Sequence, residues 1–328
     1  MIISKTPYRI SFFGGGTDYP IWYKKYGGEV ISTSIDKYIY LSVRDLPPFF
    51  KHKYRIVCSK TEIANNLKNI KFKVVRKILE EFKINKSLEI HYDGDLPAKS
   101  GMGSSSSFVV GLINIFNTYN KKKINLRNLS LQSLHFEHNI LKEIVGSQDQ
   151  IAASHGGFNL IKFLKNGNYK INNYNLNQDY FTKLNDNLVL VYTGINRTAR
   201  VVAKSYVNKL NNVKKRELFE ILNLTQVAKK IISNKQLDEF GLLLDETWKI
   251  KKSISKTISN PKIDYIYENG IKQGAIGGKL LGAGSGGFIL FYVPKDKKKS
   301  FFKNFKDVIK VNFRFAKDGS KIIHNSYE

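Results

Sequence analysis

The sequence predicts an α+β protein built in two parts, on three observations. The chain has 328 residues, and single hydrophobic cores stop growing at roughly 250 to 300 residues. Its opening is rich in strand-forming runs, whereas helical spacing dominates later. Between them the polar, asparagine-rich stretch 166–185 separates two apolar runs and has the turn-forming composition of a linker. These place a boundary near 180, with parts 1–180 and 181–328.

Taken in order, 2–13 and 28–45 carry short β-rich runs broken by glycine turns at 14–16 and 27–28. Residues 66–83 have helical spacing, Leu88-Glu89-Ile90-His91-Tyr92 reads as a strand, and 104–119 as a buried helix. A further helix is expected through Leu131, Leu134, His138, Leu141 and Val145, which recur at three- and four-residue intervals. Strands follow at 158–164 and at Leu188-Val189-Leu190-Val191-Tyr192. Residues 197–259 read as mostly helical, 261–272 as one helix after Pro261, and 279–293 as strand, glycine loop, strand.

Composition narrows the function. Cys58 is the only cysteine, so an internal disulfide and a cysteine-based metal cluster are both excluded within one chain. The opening residues lack a signal-peptide core and no apolar run approaches the roughly 18 residues of a membrane helix; a soluble, cytoplasmic protein without a membrane partner is expected. The net charge of +27 favours polyanions. The basic residues are mostly scattered lysines, and Lys121 to Lys123, Lys251-Lys252 and Lys297 to Lys299 read as solvated surface clusters. No zinc finger, aromatic RNA-binding motif or recognition helix accompanies them, so no dedicated nucleic-acid partner is expected.

The most informative segment is Pro97-Ala98-Lys99-Ser100-Gly101-Met102-Gly103-Ser104-Ser105-Ser106-Ser107, running into an apolar helix. Glycines let the backbone approach a ligand closely, and the first N–H groups of a helix have no internal partners, so an anion fits there. The same serines satisfy an ordinary helix cap, and the segment alone leaves both readings open. The later loop Gly282-Ala283-Gly284-Ser285-Gly286-Gly287 contains a dinucleotide-like glycine spacing, but a strand follows it where that fold needs a helix. Protein-kinase and Walker A signatures are missing as well. A third feature, Pro7-Tyr8-Arg9 followed by Gly14-Gly15-Gly16-Thr17-Asp18-Tyr19, sets a cation in a strand and a carboxylate behind a glycine turn.

In this order the three segments resemble the signatures of the GHMP kinases, over essentially the whole chain. The resemblance implies a two-domain fold with the active site in the cleft between a strand-rich N-terminal domain and a ferredoxin-like C-terminal domain. It implies ATP and Mg²⁺ as cofactors, with Pro97, Ser100, Gly101, Met102, Gly103, Ser104, Ser105 and Ser106 at the nucleotide phosphates. By the same likeness Ser105 and Glu137 are Mg²⁺ ligands, and Asp149 acts on the acceptor hydroxyl with Arg9 stabilising charge. Glu143 is a rival to Glu137, but a 3.6-residue period sets it about 120° away around the helix. Asp18, Gly15, Gly16, Thr17, Arg197, Arg200, Gly282, Ala283, Gly284 and Ser285 are the implied substrate contacts.

Gln148-Asp149-Gln150 and Thr193-Gly194 with Arg197 and Arg200 are similar to the branch acting on anomeric hydroxyls, the bacterial D-glycero-D-manno-heptose 7-phosphate kinases and fucokinases. A sugar phosphate and ATP are then the small-molecule partners, and the expected product is a heptose 1,7-bisphosphate for surface polysaccharide. Gly14-Gly15-Gly16 departs from galactokinases, which carry a Glu-His pair there. A kinase of unphosphorylated fucose or galactose would share every catalytic residue. A non-catalytic sensor of the same fold would have lost Ser105, Glu137 and Asp149, which are all present.

Overall fold

A computed structural model of the chain describes residues 1–195, 203, 207, 210, 212–306 and 308–327. Strands β1 (Ile2–Phe13) and β2 (Gly28–Asp45) are each one long strand rather than short runs. They pair antiparallel from Ile2 opposite Val43 to Phe13 opposite Ile31, with register shifts between Pro7 and Arg9 and between Ser11 and Phe13. Proline cannot donate to the ladder and a bulge turns the next side chains, so the first shift falls where Arg9 must be aimed. Helix α1 (Pro20–Tyr26) lies between them and starts on proline.

The chain continues through β3 (Tyr54–Val57), β4 (Thr61–Ala64), α2 (Lys73–Glu81) and β5 (Leu88–Gly94). Then come α3 (Ser104–Tyr119), α4 (Leu126–His135), α5 (Gln148–His155), β6 (Phe158–Phe163), β7 (Tyr169–Tyr174), α6 (Asp179–Asn187) and β8 (Leu188–Tyr192). The remainder holds α7 (Lys215–Ser233), α8 (Leu237–Ile254), α9 (Pro261–Lys272), β9 (Gly277–Leu280), β10 (Phe288–Tyr292), α10 (Lys298–Asn304), β11 (Ile309–Val311), β12 (Phe315–Ala316) and β13 (Lys321–Asn325).

Among the described residues the first sheet runs β13-β1-β2-β5-β3-β4, with β6 and β12 also on β2 and β7 on β6. The second is antiparallel, β11-β8-β10-β9. Helix α3 is buried almost all round and packs on β1, β2, α4 and α5. Phe108, Val109, Leu112, Ile113 and Phe116 are among its core residues, each contributing roughly 1.5–3 kcal/mol on burial. That anchorage fixes the glycine loop at its N-terminus.

Three expectations are corrected. The stretch 166–185 is not a linker: it holds all of β7 and most of α6, because Tyr169, Tyr180, Phe181 and Leu184 are buried despite the asparagines around them. The expected boundary at 180 falls inside α6, and β12 and β13 return to the first sheet, so one cut does not separate the two sheets. The helix expected through Val145 ends early: α4 stops at His135 and a π-helical turn, Phe136–Ile140, follows. Lys142 then takes a left-handed conformation (φ 55°), which ends the helical path.

Candidate active site

The loop before α3 places Lys99, Gly101 and Gly103 in left-handed conformations (φ 60°, 81° and 77°). Such alternation turns successive N–H groups into one concavity, which continues into a helix start with no acidic residue in its first turn. Lys99, Gly101, Gly103, Ser104, Ser105 and Ser106 line a cavity of about 390 Å³. Pro97, Ser100 and Met102 support this cradle from behind rather than lining it. The Ser100 hydroxyl donates to the Pro97 carbonyl (2.6 Å), and the buried Met102 accepts from the Arg9 N–H (3.1 Å).

The later glycine loop braces the cradle. A methyl group on Gly101 would sit 2.6 Å from the Leu281 carbonyl oxygen, and one on Gly282 would sit 2.4 Å from the Gly101 Cα. Backbone meets backbone there, which only glycine allows. Gly282 and Ala283 line the cavity, but Gly284 and Ser285 do not. Ser285 donates through its N–H to the Ile258 carbonyl (2.5 Å) and through its hydroxyl to Thr257. Gly284 lies close against the Ile258 backbone and Ser285 bonds the neighbouring turn.

Arg9 is 4% exposed and grips Asp149 with two bonds, Nε to Oδ1 at 2.7 Å and Nη2 to Oδ2 at 2.9 Å. Asp149 lies in the first turn of α5 and stays partly accessible to the cavity. Asp18 is buried where the glycine turn meets that helix: it accepts from the Gly16 N–H (2.9 Å) and the Gln148 side-chain amide (3.0 Å). Burial pushes its carboxyl up, opposed by the Gly16 bond and reinforced by the nearby Asp149. Gly15 and Gly16 line the cavity. Thr17 does not; its hydroxyl lies 2.8 Å from the Gly14 carbonyl and accepts from the Glu29 N–H (3.2 Å), so it locks the turn.

Glu137 sits in the π-helical turn, 2% exposed, and accepts from the Ser106 hydroxyl (3.1 and 2.9 Å) and from the Gln150 amide. The serine that reaches it is therefore Ser106; Ser105 is exposed and lines the cavity one residue earlier. Burial pushes the Glu137 carboxyl up to about 7, as expected for an acid held away from water. Glu143 also lines the cavity. The expected 120° separation assumed a continuous helix, and the turn removes it.

Sequence reasoning missed four contributors. Gln148 and Gln150 flank Asp149 and orient the two buried carboxylates. Lys251 is not a solvated surface lysine: it lines the cavity and donates to the carbonyls of Leu280 (3.2 Å) and Gly282 (2.5 Å). Lys279 is 3% exposed on β9 and lines the same cavity; its place three residues before the Gly282 loop was the available signal. Arg197 and Arg200 lie outside the described residues. Among the described residues no group of three or more His, Cys, Asp or Glu could hold a metal ion, and no helix is long and apolar enough to cross a membrane.

An anion cradle and an oriented carboxylate sharing one cavity are what phosphoryl transfer to an alcohol requires. The protein is a phosphotransferase with an alcohol acceptor, and it belongs to the GHMP kinase family. The model of the GHMP kinases N-terminal domain matches residues 69–157 and that of the C-terminal domain residues 227–309. A D-glycero-alpha-D-manno-heptose 7-phosphate kinase of Campylobacter jejuni is 30% identical, over 98% of this chain and 98% of its own. A galactokinase of Pyrococcus furiosus is 24% identical over 91% of each. The crystal structure of a D-glycero-D-manno-heptose 1-phosphate kinase from Bacteroides thetaiotaomicron superposes with a TM-score of 0.80 at 22% identity, covering 99% of both chains. The GHMP kinase fold expected from the motifs, and ATP as the family's phosphoryl donor, follow from that membership.

Proposed function

We propose that the protein transfers the γ-phosphoryl group of ATP to the anomeric C1 hydroxyl of a sugar phosphate. The substrate is D-glycero-D-manno-heptose 7-phosphate and the product its 1,7-bisphosphate, made in the cytoplasm toward nucleotide-activated heptose for surface polysaccharide. The carrying observation is the two-bond Arg9–Asp149 pair facing the same cavity as the phosphate loop. The substrate assignment is supported by the end-to-end similarity to the Campylobacter jejuni enzyme.

Phosphoryl transfer needs little covalent work from a protein; it needs positioning and charge stabilisation. Asp149 accepts the proton of the C1 hydroxyl through a carboxylate oxygen, held in orientation by Arg9. Asp18 fixes the start of α5, which carries Asp149, and with Gly15 and Gly16 shapes the acceptor end of the cavity. The donor set fits Mg²⁺, a hard ion content with one or two protein oxygens beside nucleotide phosphates. Glu137 is a buried carboxylate raised toward neutrality, a state that a cation relieves. Glu137 and Ser105 would hold the ion, with Ser106 and Gln150 orienting Glu137; bound there, it neutralises phosphate charge. The N-terminal part thus supplies the phosphate loop, metal and catalytic groups, and the C-terminal part braces them.

Phosphorus NMR of the product tests the reaction. A new signal coupled to the anomeric proton is expected, with one ADP per product. Phosphorylation at another hydroxyl, or no ADP formation with this substrate, contradicts the proposal.

A further inference from the structure

Lys279 is a cation in a costly place. It lies on β9 in the second sheet, and its ammonium reaches the first sheet to donate to the Phe12 carbonyl at 2.5 Å. Among the described residues the charged groups that act on it are Lys251 from α8 and Arg9 from β1, both of its own sign, while Asp149 on α5 is gripped by Arg9. Burial first, then Lys251 and Arg9, push its ammonium well below the usual lysine range. An apolar side chain of similar length would avoid that cost. A negative charge entering the cavity reverses the balance, because it attracts all three cations at once.

Position says which anion. Lys279 stands three residues before Gly282, whose backbone lies against Gly101 of the phosphate cradle, and Arg9 bonds the Gly101 carbonyl at 2.7 Å. We infer that Lys279 and Arg9 together form a seat for a phosphate dianion in the cavity, with Lys251 beside them. Either the γ-phosphoryl group of the nucleotide or the acceptor's own phosphate presents that chemistry. The inference rests on the kinase reading and adds a binding residue to it. The competing role for Lys279 is a strut between the two sheets, through its bond to Phe12.

Sulfate, a dianion that does not titrate near neutrality, separates the two roles. Calorimetric titration of the wild type should show saturable sulfate binding whose affinity falls as ionic strength rises. Lys279→Met should leave the melting temperature of the ligand-free protein unchanged or higher and weaken sulfate binding by about tenfold or more, the scale of a lost charge-assisted bond. Lys279→Arg should keep binding. Displacement of sulfate by a non-hydrolysable ATP analogue with Mg²⁺ assigns the seat to the γ-phosphoryl group, and displacement by sugar phosphate alone assigns it to the acceptor. No saturable sulfate binding, wild-type affinity in Lys279→Met, or displacement by neither ligand overturns the seat. Sulfate binding needs no heptose, so its failure leaves the C1 reaction standing, and the converse holds too.

Discussion

Arg9 ties Asp149 to the glycine loop before α3: two of its nitrogens hold the carboxylate at 2.7 and 2.9 Å and the third donates to the Gly101 carbonyl at 2.7 Å. One rigid guanidinium thereby fixes the distance between Asp149 and the glycine loop. Lysine has no planar fork and cannot reproduce all three bonds. Asp149→Asn should retain ATP binding and lose roughly 10²- to 10⁴-fold in kcat, the range for a positioned acid–base group. Steady-state kinetics with a nucleotide-binding assay checks this; near-wild-type turnover removes Asp149 from the mechanism.

Glu137 predicts a pH signature in the ligand-free protein. Its carboxyl is raised from 4.5 to about 7, so between those values the folded state holds a proton that the unfolded state has released. Stability from this group is full below about pH 4.5 and falls as pH rises to about 7, by on the order of 3 kcal/mol at most. Glu137→Gln should flatten that part of the profile. Melting curves of both proteins from pH 4.5 to 8 measure it, and identical slopes refute the assignment.

The same carboxylate predicts a metal effect. Glu137→Gln and Ser105→Ala should each raise the Mg²⁺ concentration giving half-maximal rate several-fold, since each deletes one oxygen from an ion with few protein ligands. Glu143→Gln should leave it within about twofold, because the carboxylate that Ser106 and Gln150 hold in place is that of Glu137. Mg²⁺ titrations at fixed ATP decide between them; a shift for Glu143→Gln alone reverses the ligand choice.

Two glycines should respond oppositely to alanine. At Gly101 the new methyl collides with the Leu281 carbonyl in a left-handed backbone. Gly101→Ala should cost about 1–3 kcal/mol of stability and raise the KM for ATP. At Gly15 the methyl finds only ordinary contacts, 3.6 Å from Ser11 Oγ and 3.8 Å from Gln148 Nε2. Gly15→Ala should therefore fold normally and raise the KM of the acceptor instead. Thermal melts with separate KM measurements test the contrast.

What the sequence revealed depended on whether chemistry was local. The turn before α3 and the buried helix after it were legible because the glycines, serines and apolar run are contiguous, and helix 261–272 because Pro261 marks its start. The end of α4 was not, since the helical period of Leu141 and Val145 continues past the point where the backbone leaves the helix. Lys251 looked like a surface residue beside Lys252, and only the packing of α8 against β9 turns it into the cavity. Gly284 and Ser285 belong to a motif matched as a unit, whereas the fold divides that motif between cavity and neighbouring turn.

Substrate choice tests the central claim most directly. The measurement is kcat/KM by coupled ADP release for D-glycero-D-manno-heptose 7-phosphate against the free heptose, with fucose and galactose as further acceptors. A phosphate seated by charge-assisted bonds predicts a preference of at least about 100-fold for the phosphorylated sugar, roughly 2.7 kcal/mol of transition-state binding. Equal use of the two heptoses, or preference for fucose or galactose, would contradict it.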